Sequence, residues 1–215
     1  MLILAVDTTS ERGSLALLSG SELLEEVDLL SADGYSSILF SQIEALLTRH
    51  KIALKSIDAF ASASGPGSFS GVRMGLTAIK GLAEALNRPA FGISNLQALA
   101  TLGTRPLRAP VLDARRGDIY GAVYDADSRI VQAEGVTKLG HWISNLPEGD
   151  LEIVSNGVVL PDGGRRVTHV SASLAASIGR IALKLLMTGV RPVPEEIDAN
   201  YVRRSDAELS WRDTA

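Results

Sequence analysis

The sequence contains no cysteine among its 215 residues. Disulfide bonds, thiolate metal sites and a cysteine nucleophile are therefore excluded. Histidine is scarce as well: the chain has three, His50, His141 and His169, and they lie far apart. Single imidazoles at such separations are more often solvated or core side chains than metal ligands. The sequence accordingly predicts no metal site, and a metallopeptidase would lack both its metal ligands and its general base.

Positive charge is not in excess either. The chain has 21 lysines and arginines against 25 acidic residues, so its net charge is −4, and no long basic run occurs. This balance argues against tight nucleic-acid binding by the chain on its own. Long apolar runs are also missing, and the apolar opening reaches Asp7 too soon for a signal peptide. We therefore expect a cytoplasmic globular protein with no membrane contact.

Glycine, by contrast, is concentrated in one stretch. Between a predicted strand at 56–64 and a predicted helix from Val72 to Leu86, glycines stand at 65, 67 and 71 and serines at 68 and 70. Glycines permit close backbone approach, and a helix start leaves N–H groups unpaired, so the loop can hold a phosphate or accept a partner's backbone. A plain turn capped by Ser68 or Ser70 is the alternative. No Gly-Lys-Ser/Thr follows, so this is not a P-loop.

The N-terminal run Leu2–Asp7 is apolar until its last residue, which is typical of a buried central strand that ends in a carboxylate. Two hydroxyl residues, Thr8 and Thr9, follow, and two further strands complete an antiparallel meander. The first phosphate loop of actin-like ATPases has this order of acid and hydroxyls, but with a glycine between them that is absent here. Asp7 could therefore contact a nucleotide phosphate, or could simply cap the turn through its own backbone.

The same order of elements occurs a second time. Residues 110–113 again run from apolar residues into an aspartate, Asp113, which a polar turn and two more strands follow. We interpret the repeat as a duplicated α/β fold of the actin-like ATPase type (ASKHA, ribonuclease H-like), with two βββαβα-type halves, the second reduced. The predicted subdomains are residues 1–103, which carry the partner interface, and residues 104–215, which are smaller and partly degenerate. An apolar content of 46% is enough to form a core.

Two predicted helices carry residues that a core stripe does not explain. In the helix at 36–50, Ile38 and Phe40 lie off the apolar stripe. In the helix after the glycine loop, small residues recur every three or four positions, although each glycine costs about 0.5–1 kcal/mol relative to alanine. Either this helix packs closely inside the chain, or it meets a second chain. The predicted partner-interface residues are Ile38, Phe40, Gly71, Gly75, Ala78, Gly81 and Leu82.

Arg73 lies in the first turn of the same helix, where a positive charge is unfavourable for the helix dipole. We therefore expect its guanidinium to meet an anion or a partner's carboxylate. The residues predicted to contact an anion or a nucleotide are Asp7, Gly65, Gly67, Ser68, Ser70 and Arg73. No catalytic residue is predicted.

Four blocks of the sequence resemble, in order, the bacterial TsaB (YeaZ) proteins, which are accessory subunits of the machinery that makes threonylcarbamoyladenosine in tRNA. The blocks are Ile3–Thr9, Gly65–Gly75, Gly92–Leu96 and Leu112–Arg115, and the element Asn200–Arg203 is similar to the family's C-terminal Tyr-Leu-Arg. The likeness covers most of residues 1–125, and its Gly-Pro-Gly-Ser-Phe block is specific. The chain departs from the family at Tyr35, where histidine is frequent.

The resemblance implies an actin-like fold without the metal-binding His-x-x-x-His of the paralogous catalytic subunit, TsaD. It also implies that the N-terminal half dimerises through its helices, with itself when alone or with a TsaD-like transferase subunit. A TsaE-like ATPase then joins, and tRNA is contacted only through the complex. No intrinsic cofactor is implied, although ATP or ADP is associated with the composite interface.

Two functions remain open at this point. The first is a non-catalytic scaffold, which holds the transferase subunit in a competent state through the helices at 36–50 and 71–86. The second is an enzyme, a small actin-fold kinase or ATPase that uses Asp7 and the Gly65–Gly71 loop on phosphate. The first rests on a near-intact fold with an incomplete set of catalytic groups. The second requires ATP binding by the isolated chain.

Overall fold

The computed structural model describes residues 1–30, 34–161, 164–170 and 173–203. The strands are β1 Leu2–Asp7, β2 Arg12–Ser19, β3 Glu22–Leu30, β4 Ala59–Gly65, β5 Ala90–Ser94, β6 Leu107–Asp113, β7 Asp118–Asp125, β8 Ile130–Lys138, β9 Leu151–Ser155 and β10 Arg166–His169. The helices are α1 Leu39–Arg49, α2 Phe69–Leu86, α3 Asn95–Ala100, α4 Leu139–Ser144 and α5 Ala175–Met187. Within those described ranges, no helix has both the length and the apolar content needed to cross a membrane.

The strands form two five-stranded sheets with the same topology. The order is β3-β2-β1-β4-β5 in the first sheet and, read in the same direction, β8-β7-β6-β9-β10 in the second. The first strand of each half lies in the centre of its sheet, antiparallel to the next strand and parallel to the one that follows the meander. Asp7 and Asp113 end these two central strands. The duplicated α/β fold predicted from the repeat is therefore confirmed.

The second half has less helix than the first, as predicted. In the first half, α1 connects β3 to β4, and α2 connects β4 to β5. In the second half, α4 has only six residues, and the described residues between β9 and β10 form no helix. The layer that α1 and α2 provide for the first sheet therefore has only a small counterpart on the second.

The two faces of the first sheet are covered by different helices. Side chains of a strand alternate between faces, and those of β1 divide accordingly. Leu4 and Val6 belong to the core cluster that contains α1 and α2, whereas Ile3 and Ala5 belong to the cluster that contains α5. Because α1 and α2 cover the same face, their outer sides belong to one surface of the molecule.

The last helix of each half packs against the sheet of the other half. α3 packs on β6 and β7. α5 packs on the first sheet, where the side chain of Ile178 is fully buried. The N–H groups of the first two residues of α5 donate to Ser14 Oγ at 3.1 Å and to Glu26 Oε1 at 2.8 Å, both on the first sheet. α5 lies within the predicted C-terminal subdomain of residues 104–215, but its apolar face is buried by the first half.

Candidate functional site

Asp7 ends β1 with only 2% of its surface exposed. Its Oδ1 accepts hydrogen bonds from the backbone N–H of Thr9 at 2.9 Å and from Thr9 Oγ1 at 2.6 Å. Burial raises the pKa of the Asp7 carboxyl, and the Thr9 hydrogen bonds oppose that rise in part. Asn95 extends the network, since its Nδ2 donates to Thr9 Oγ1 at 2.6 Å and its Oδ1 accepts from the N–H of Gly65 at 3.1 Å. Asp7 thus caps its own turn, which is one of the two roles considered for it.

The glycine loop packs directly on this turn. The N–H of Ser68 donates to the carbonyl of Thr9 at 2.7 Å, and Thr8 Oγ1 donates to the carbonyl of Gly71 at 2.7 Å. A Cβ added at Gly71 would lie 1.9 Å from the carbonyl oxygen of Thr8, and one added at Gly67 would lie 2.6 Å from Thr9 Cβ. At Gly75 it would lie 2.7 Å from Thr8 Oγ1. The close approach that these glycines permit is therefore to the chain's own first turn.

The loop also provides the cap of α2. The Oγ of Ser68 accepts from the N–H of Gly71 at 3.4 Å, and the helix begins at Phe69. The predicted start at Val72 is thus late by three residues, because the residue that caps the helix is Ser68. Ser70 is exposed, and its hydroxyl lies 3.3 Å from that of Ser68.

A cleft of about 810 Å³ opens between the two halves beside this turn. Both repeated aspartates line it. Asp113 forms the same turn as Asp7, because its Oδ1 accepts from the N–H of Arg115 at 2.8 Å, but it is exposed. Across the cleft, Arg115 Nη2 lies 3.0 Å from Glu11 Oε1, and both side chains are mostly exposed. The cleft therefore has carboxylates on both sides, and an ion pair connects the two halves across it.

The residues predicted to contact an anion are not all in this cleft. Asp7, Gly67, Ser68 and Ser70 line it, whereas Gly65 and Arg73 do not. Arg73 lies on the outer side of α2, where its Cζ is 3.9 Å from the centre of the Phe69 ring and its Nε donates to Tyr201 Oη at 3.0 Å. Arg73 is therefore not part of the cleft site, and two aromatic side chains hold its guanidinium instead.

The predicted partner-interface residues also divide into two groups. Gly71, Gly75 and Ala78 are buried, so the expectation that they meet another chain is corrected: the first turn and the core of the first half already cover them. Ile38 and Leu82 are half-buried, and Phe40 and Gly81 are exposed. A Cβ added at Gly81 would meet nothing within 4 Å. Gly81 is thus a glycine of α2 that the packing of the described residues does not explain.

Two further residues, Asn95 and Tyr35, contribute to the site, although the sequence predicted no role there for either. Ser94 is the cap of α3, whereas the side chain of Asn95 points back to Thr9. Tyr35 covers the first turn, since its Oη donates to the carbonyl of Ser10 at 2.7 Å. A polar residue in the first turn of a mostly apolar helix was the available signal for Asn95.

The three histidines lie in separate places. His50 Nε2 is 2.8 Å from Glu25 Oε2, His141 is on α4 and His169 ends β10. Within the part of the chain that the structure describes, no group of three or more histidine, aspartate or glutamate side chains could hold a metal ion.

Comparison with known proteins identifies the family. The family model described as TsaD, tRNA N6-adenosine threonylcarbamoyltransferase, matches residues 29–178. The tRNA threonylcarbamoyladenosine biosynthesis protein TsaB of Escherichia coli K12 is 36% identical over 239 aligned positions, which cover 99% of this chain and 97% of that protein. TsaB of Bacillus subtilis 168 is 30% identical over 162 residues, which cover 73% of this chain and 71% of that protein. This chain belongs to the TsaB family.

Solved structures agree with this membership at the level of the fold. YeaZ from Pseudomonas aeruginosa superposes with a TM-score of 0.77 at 23% identity, over 93% of this chain and 100% of that one. An activator of 2-hydroxyisocaproyl-CoA dehydratase from Clostridium difficile, solved with bound ADPNP, has a TM-score of 0.52 at 10% identity, over 90% of this chain and 99% of that one. The TsaB resemblance and the actin-like fold predicted from the sequence are both confirmed.

The buried aspartate gives a first testable prediction for this TsaB-family chain. Because burial raises the pKa of Asp7 above its ordinary value of 3.8, the folded state binds the proton more tightly than the unfolded state. The stabilisation from this group is complete below the unfolded pKa and is lost as the pH rises through the folded pKa. Asp7→Asn should therefore raise the free energy of unfolding at neutral pH, and the gain should shrink as the pH falls toward the ordinary pKa.

Urea denaturation followed by circular dichroism, repeated from acid to neutral pH, measures this effect. The amide oxygen of an asparagine can still accept both Thr9 hydrogen bonds, so the change isolates the charge. Asp113→Asn is the matched control, because Asp113 forms the same turn but is exposed. A loss of stability in Asp7→Asn at neutral pH would contradict the prediction.

Proposed function

We propose that this chain is a non-catalytic subunit of the machinery that forms N6-threonylcarbamoyladenosine in tRNA. In this proposal it acts as a scaffold and activator: it dimerises with a TsaD-like transferase subunit and recruits a TsaE-like ATPase. The names of its TsaB relatives support the pathway. Two features of the structure support a non-catalytic role in which the chain binds a partner subunit.

The first feature is the filled glycine loop, and it carries the proposal. In an actin-like enzyme the loops at the ends of the central strands must leave room for phosphate. Here Thr9 and Thr8 fill the space beside the Cα atoms of Gly67 and Gly71. Added Cβ atoms would lie 2.6 Å from Thr9 and 1.9 Å from Thr8, respectively. The Oδ1 of Asp7 already accepts two hydrogen bonds from Thr9. These contacts favour a structural role for the loop over the alternative of a kinase or ATPase.

The second feature is the outer surface of α1 and α2. Phe40 on α1 is 54% exposed, and the exposed Gly81 on α2 has open space around its Cα. Gly81 is ten residues from Gly71, which places it about 80° round the helix axis, away from the buried side. An exposed aromatic side chain on α1 and a closely approachable backbone on α2, both over the same face of the first sheet, suit the close packing of helices from another subunit. This surface, rather than the buried Gly71, Gly75 and Ala78, is the proposed partner interface.

The remaining parts of the proposal follow from the family. The chain forms a homodimer through the same helices when the transferase subunit is absent, and it contacts tRNA only within the complex. It has no cofactor of its own, and ATP or ADP binds at the composite interface with the ATPase. The complex works in the cytoplasm.

The experiment that tests the interface is a bulky substitution at Gly81. Gly81→Leu places its side chain in open space, so the isolated chain should fold normally. In the complex the same side chain should overpack the interface and weaken the affinity for a purified TsaD-like subunit about tenfold or more. Isothermal titration calorimetry measures the affinity, and circular dichroism verifies the fold.

Gly140→Leu is the matched control, because Gly140 is also an open helix glycine but lies on α4. Equal affinity of the Gly81→Leu variant and the wild type would remove this surface from the proposal. Calorimetry of the isolated chain with ATP tests the alternative: micromolar binding, with turnover lost in Asp7→Ala, would replace the scaffold by an enzyme.

A further inference from the structure

The C-terminal strap, which we define as residues 190–203, covers the edge of the first sheet. The N–H of Ala90, at the start of the edge strand β5, donates to the carbonyl of Pro192 at 3.4 Å. Ile197 is 7% exposed, and a Cβ added at Gly92 would lie 2.6 Å from its Cγ2. The strap is therefore fixed to β5 before it reaches the second half.

Asn200 is the point at which the strap touches both halves. Its N–H donates to the carbonyl of Ser64 in the first half at 2.7 Å. Its Nδ2 donates to Glu134 Oε2 in the second half at 2.5 Å. A Cβ added at Gly65 would lie 2.8 Å from the carbonyl oxygen of Asn200, so the strap lies against the start of the glycine loop. A shift between the halves must therefore strain or break the contacts of this one residue.

The carboxylate of Glu134 accepts hydrogen bonds from three separate parts of the chain. Besides Asn200, its Oε1 accepts hydrogen bonds from Ser94 Oγ, at the cap of α3, and from Tyr124 Oη on β7. Burial, followed by the charge of Glu134, raises the pKa of Tyr124, so its hydroxyl stays protonated and able to donate. An ionised carboxylate is an acceptor only, and hydrogen bonds to it are stronger than those between neutral groups. This arrangement holds the first half, the second half and the strap together.

The residue after Asn200 reaches the outer side of α2. The ring of Tyr201 stacks on Phe69 with centroids 5.5 Å apart, and its Oη accepts from Arg73 Nε at 3.0 Å. Consecutive Cα atoms are only about 3.8 Å apart, so Tyr201 cannot keep this position if Asn200 moves by several ångströms. Phe69 and Arg73 belong to the first turns of α2, the helix that also carries Gly81 of the proposed partner interface.

We propose that Glu134 is a positioning residue that acts through Asn200: it couples the relative placement of the two halves to the cluster of Phe69, Arg73 and Tyr201 on α2. A change in the cleft is then transmitted to the outer surface of α2, and a change on that surface is transmitted to the cleft. The coupling itself is a property of the isolated chain. Only its consequence, that partner binding and the state of the cleft influence each other, rests on the proposed function.

The test compares hydrogen exchange in the full-length chain without any partner. In Asn200→Asp, two carboxylates face each other in place of a donor and an acceptor. We expect exchange at residues 200–203 and at residues 68–74 to accelerate about tenfold or more, since a hydrogen bond to a charged group is lost. The double variant Glu134→Gln/Asn200→Asp restores a donor and an acceptor with their roles exchanged, and both segments should return close to wild-type exchange.

Glu148→Gln is the control for loss of a carboxylate in the second half, because Glu148 is exposed. Unchanged protection of β1 amides shows that the variants are folded. If residues 68–74 keep wild-type exchange in Asn200→Asp while residues 200–203 accelerate, the coupling is wrong. If the double variant exchanges as fast as Asn200→Asp, Glu134 is not the partner of Asn200. Neither outcome depends on the transferase subunit, so failure here is distinct from failure of the Gly81→Leu experiment.

Discussion

Gly71→Ala should destabilise the chain by about 3 kcal/mol or more, because the added methyl group has no space. Its Cβ would lie 1.9 Å from the carbonyl oxygen of Thr8 and 2.9 Å from its carbonyl carbon. Thr8 is 1% exposed, and its hydroxyl donates to the carbonyl of Gly71. Backbone atoms on both sides would have to separate, which is more costly than the rotation of a flexible side chain. In thermal unfolding the midpoint should fall by on the order of 10 °C for a chain of this size.

The matched control is the same substitution ten residues later in the same helix. A Cβ at Gly81 would meet nothing within 4 Å, so Gly81→Ala should gain helix propensity and raise stability by about 0.5–1 kcal/mol. Urea denaturation of the isolated chain measures both variants. Both variants make the same Gly→Ala change within α2. Stability changes of opposite sign would therefore separate the effect of tertiary packing at Gly71 from the effect of helix propensity. A Gly71→Ala variant as stable as the wild type would show that the contact with Thr8 does not require a glycine at position 71.

Ile178→Ala should destabilise the chain by about 2–5 kcal/mol, because it leaves a cavity beneath α5. Ile178 is 0% exposed and belongs to the cluster formed by α5 and the first sheet. Although α5 follows the second sheet in the sequence, its apolar face is buried by the first. We therefore expect the two halves to unfold together, as one cooperative unit.

Two probes of unfolding test this expectation. Trp142 is 3% exposed and belongs to the core cluster of the second half, so its fluorescence reports on that half in a Trp211→Phe background. Far-ultraviolet circular dichroism reports on the whole chain. In Ile178→Ala both transitions should shift to lower urea by the same amount. Ile130→Ala is the control, because Ile130 is 63% exposed, and it should change stability little. A Trp142 transition that stays in place while the other shifts would show two independent domains.

The sequence predicted the parts of the fold that short windows encode. Two apolar runs that end in Asp7 and Asp113, each followed by a meander, were enough to indicate the duplicated sheet. The helix predicted from Val72 to Leu86 corresponds to α2, which ends at the same residue. Strand alternation, helical period and turn chemistry act between residues close in sequence, so they can be identified without knowing what else is nearby.

The candidate site was predicted less completely. The sequence located the glycine loop and Asp7, but it left open whether phosphate, a partner or the chain itself approaches those glycines. Thr8, which the structure places against Gly71, is 63 residues away in sequence. Arg73 was expected to meet an anion or a partner's carboxylate because of the helix dipole, and in the structure its guanidinium lies over the Phe69 ring and donates to the Tyr201 hydroxyl. The positions of such neighbours depend on how the helices and strands pack, and no pattern of residues close in sequence predicts that packing.

The sequence by itself therefore determined the family, the order of strands and helices, and the residues with unusual backbone freedom. Only the tertiary structure decided that the first turn fills the glycine loop, that α5 lies on the first sheet and that Asn200 joins the strap to Glu134. The physical reason is the range of the interactions. Local propensities act over a few residues, whereas these three contacts bring together groups that are tens to more than a hundred residues apart in the chain.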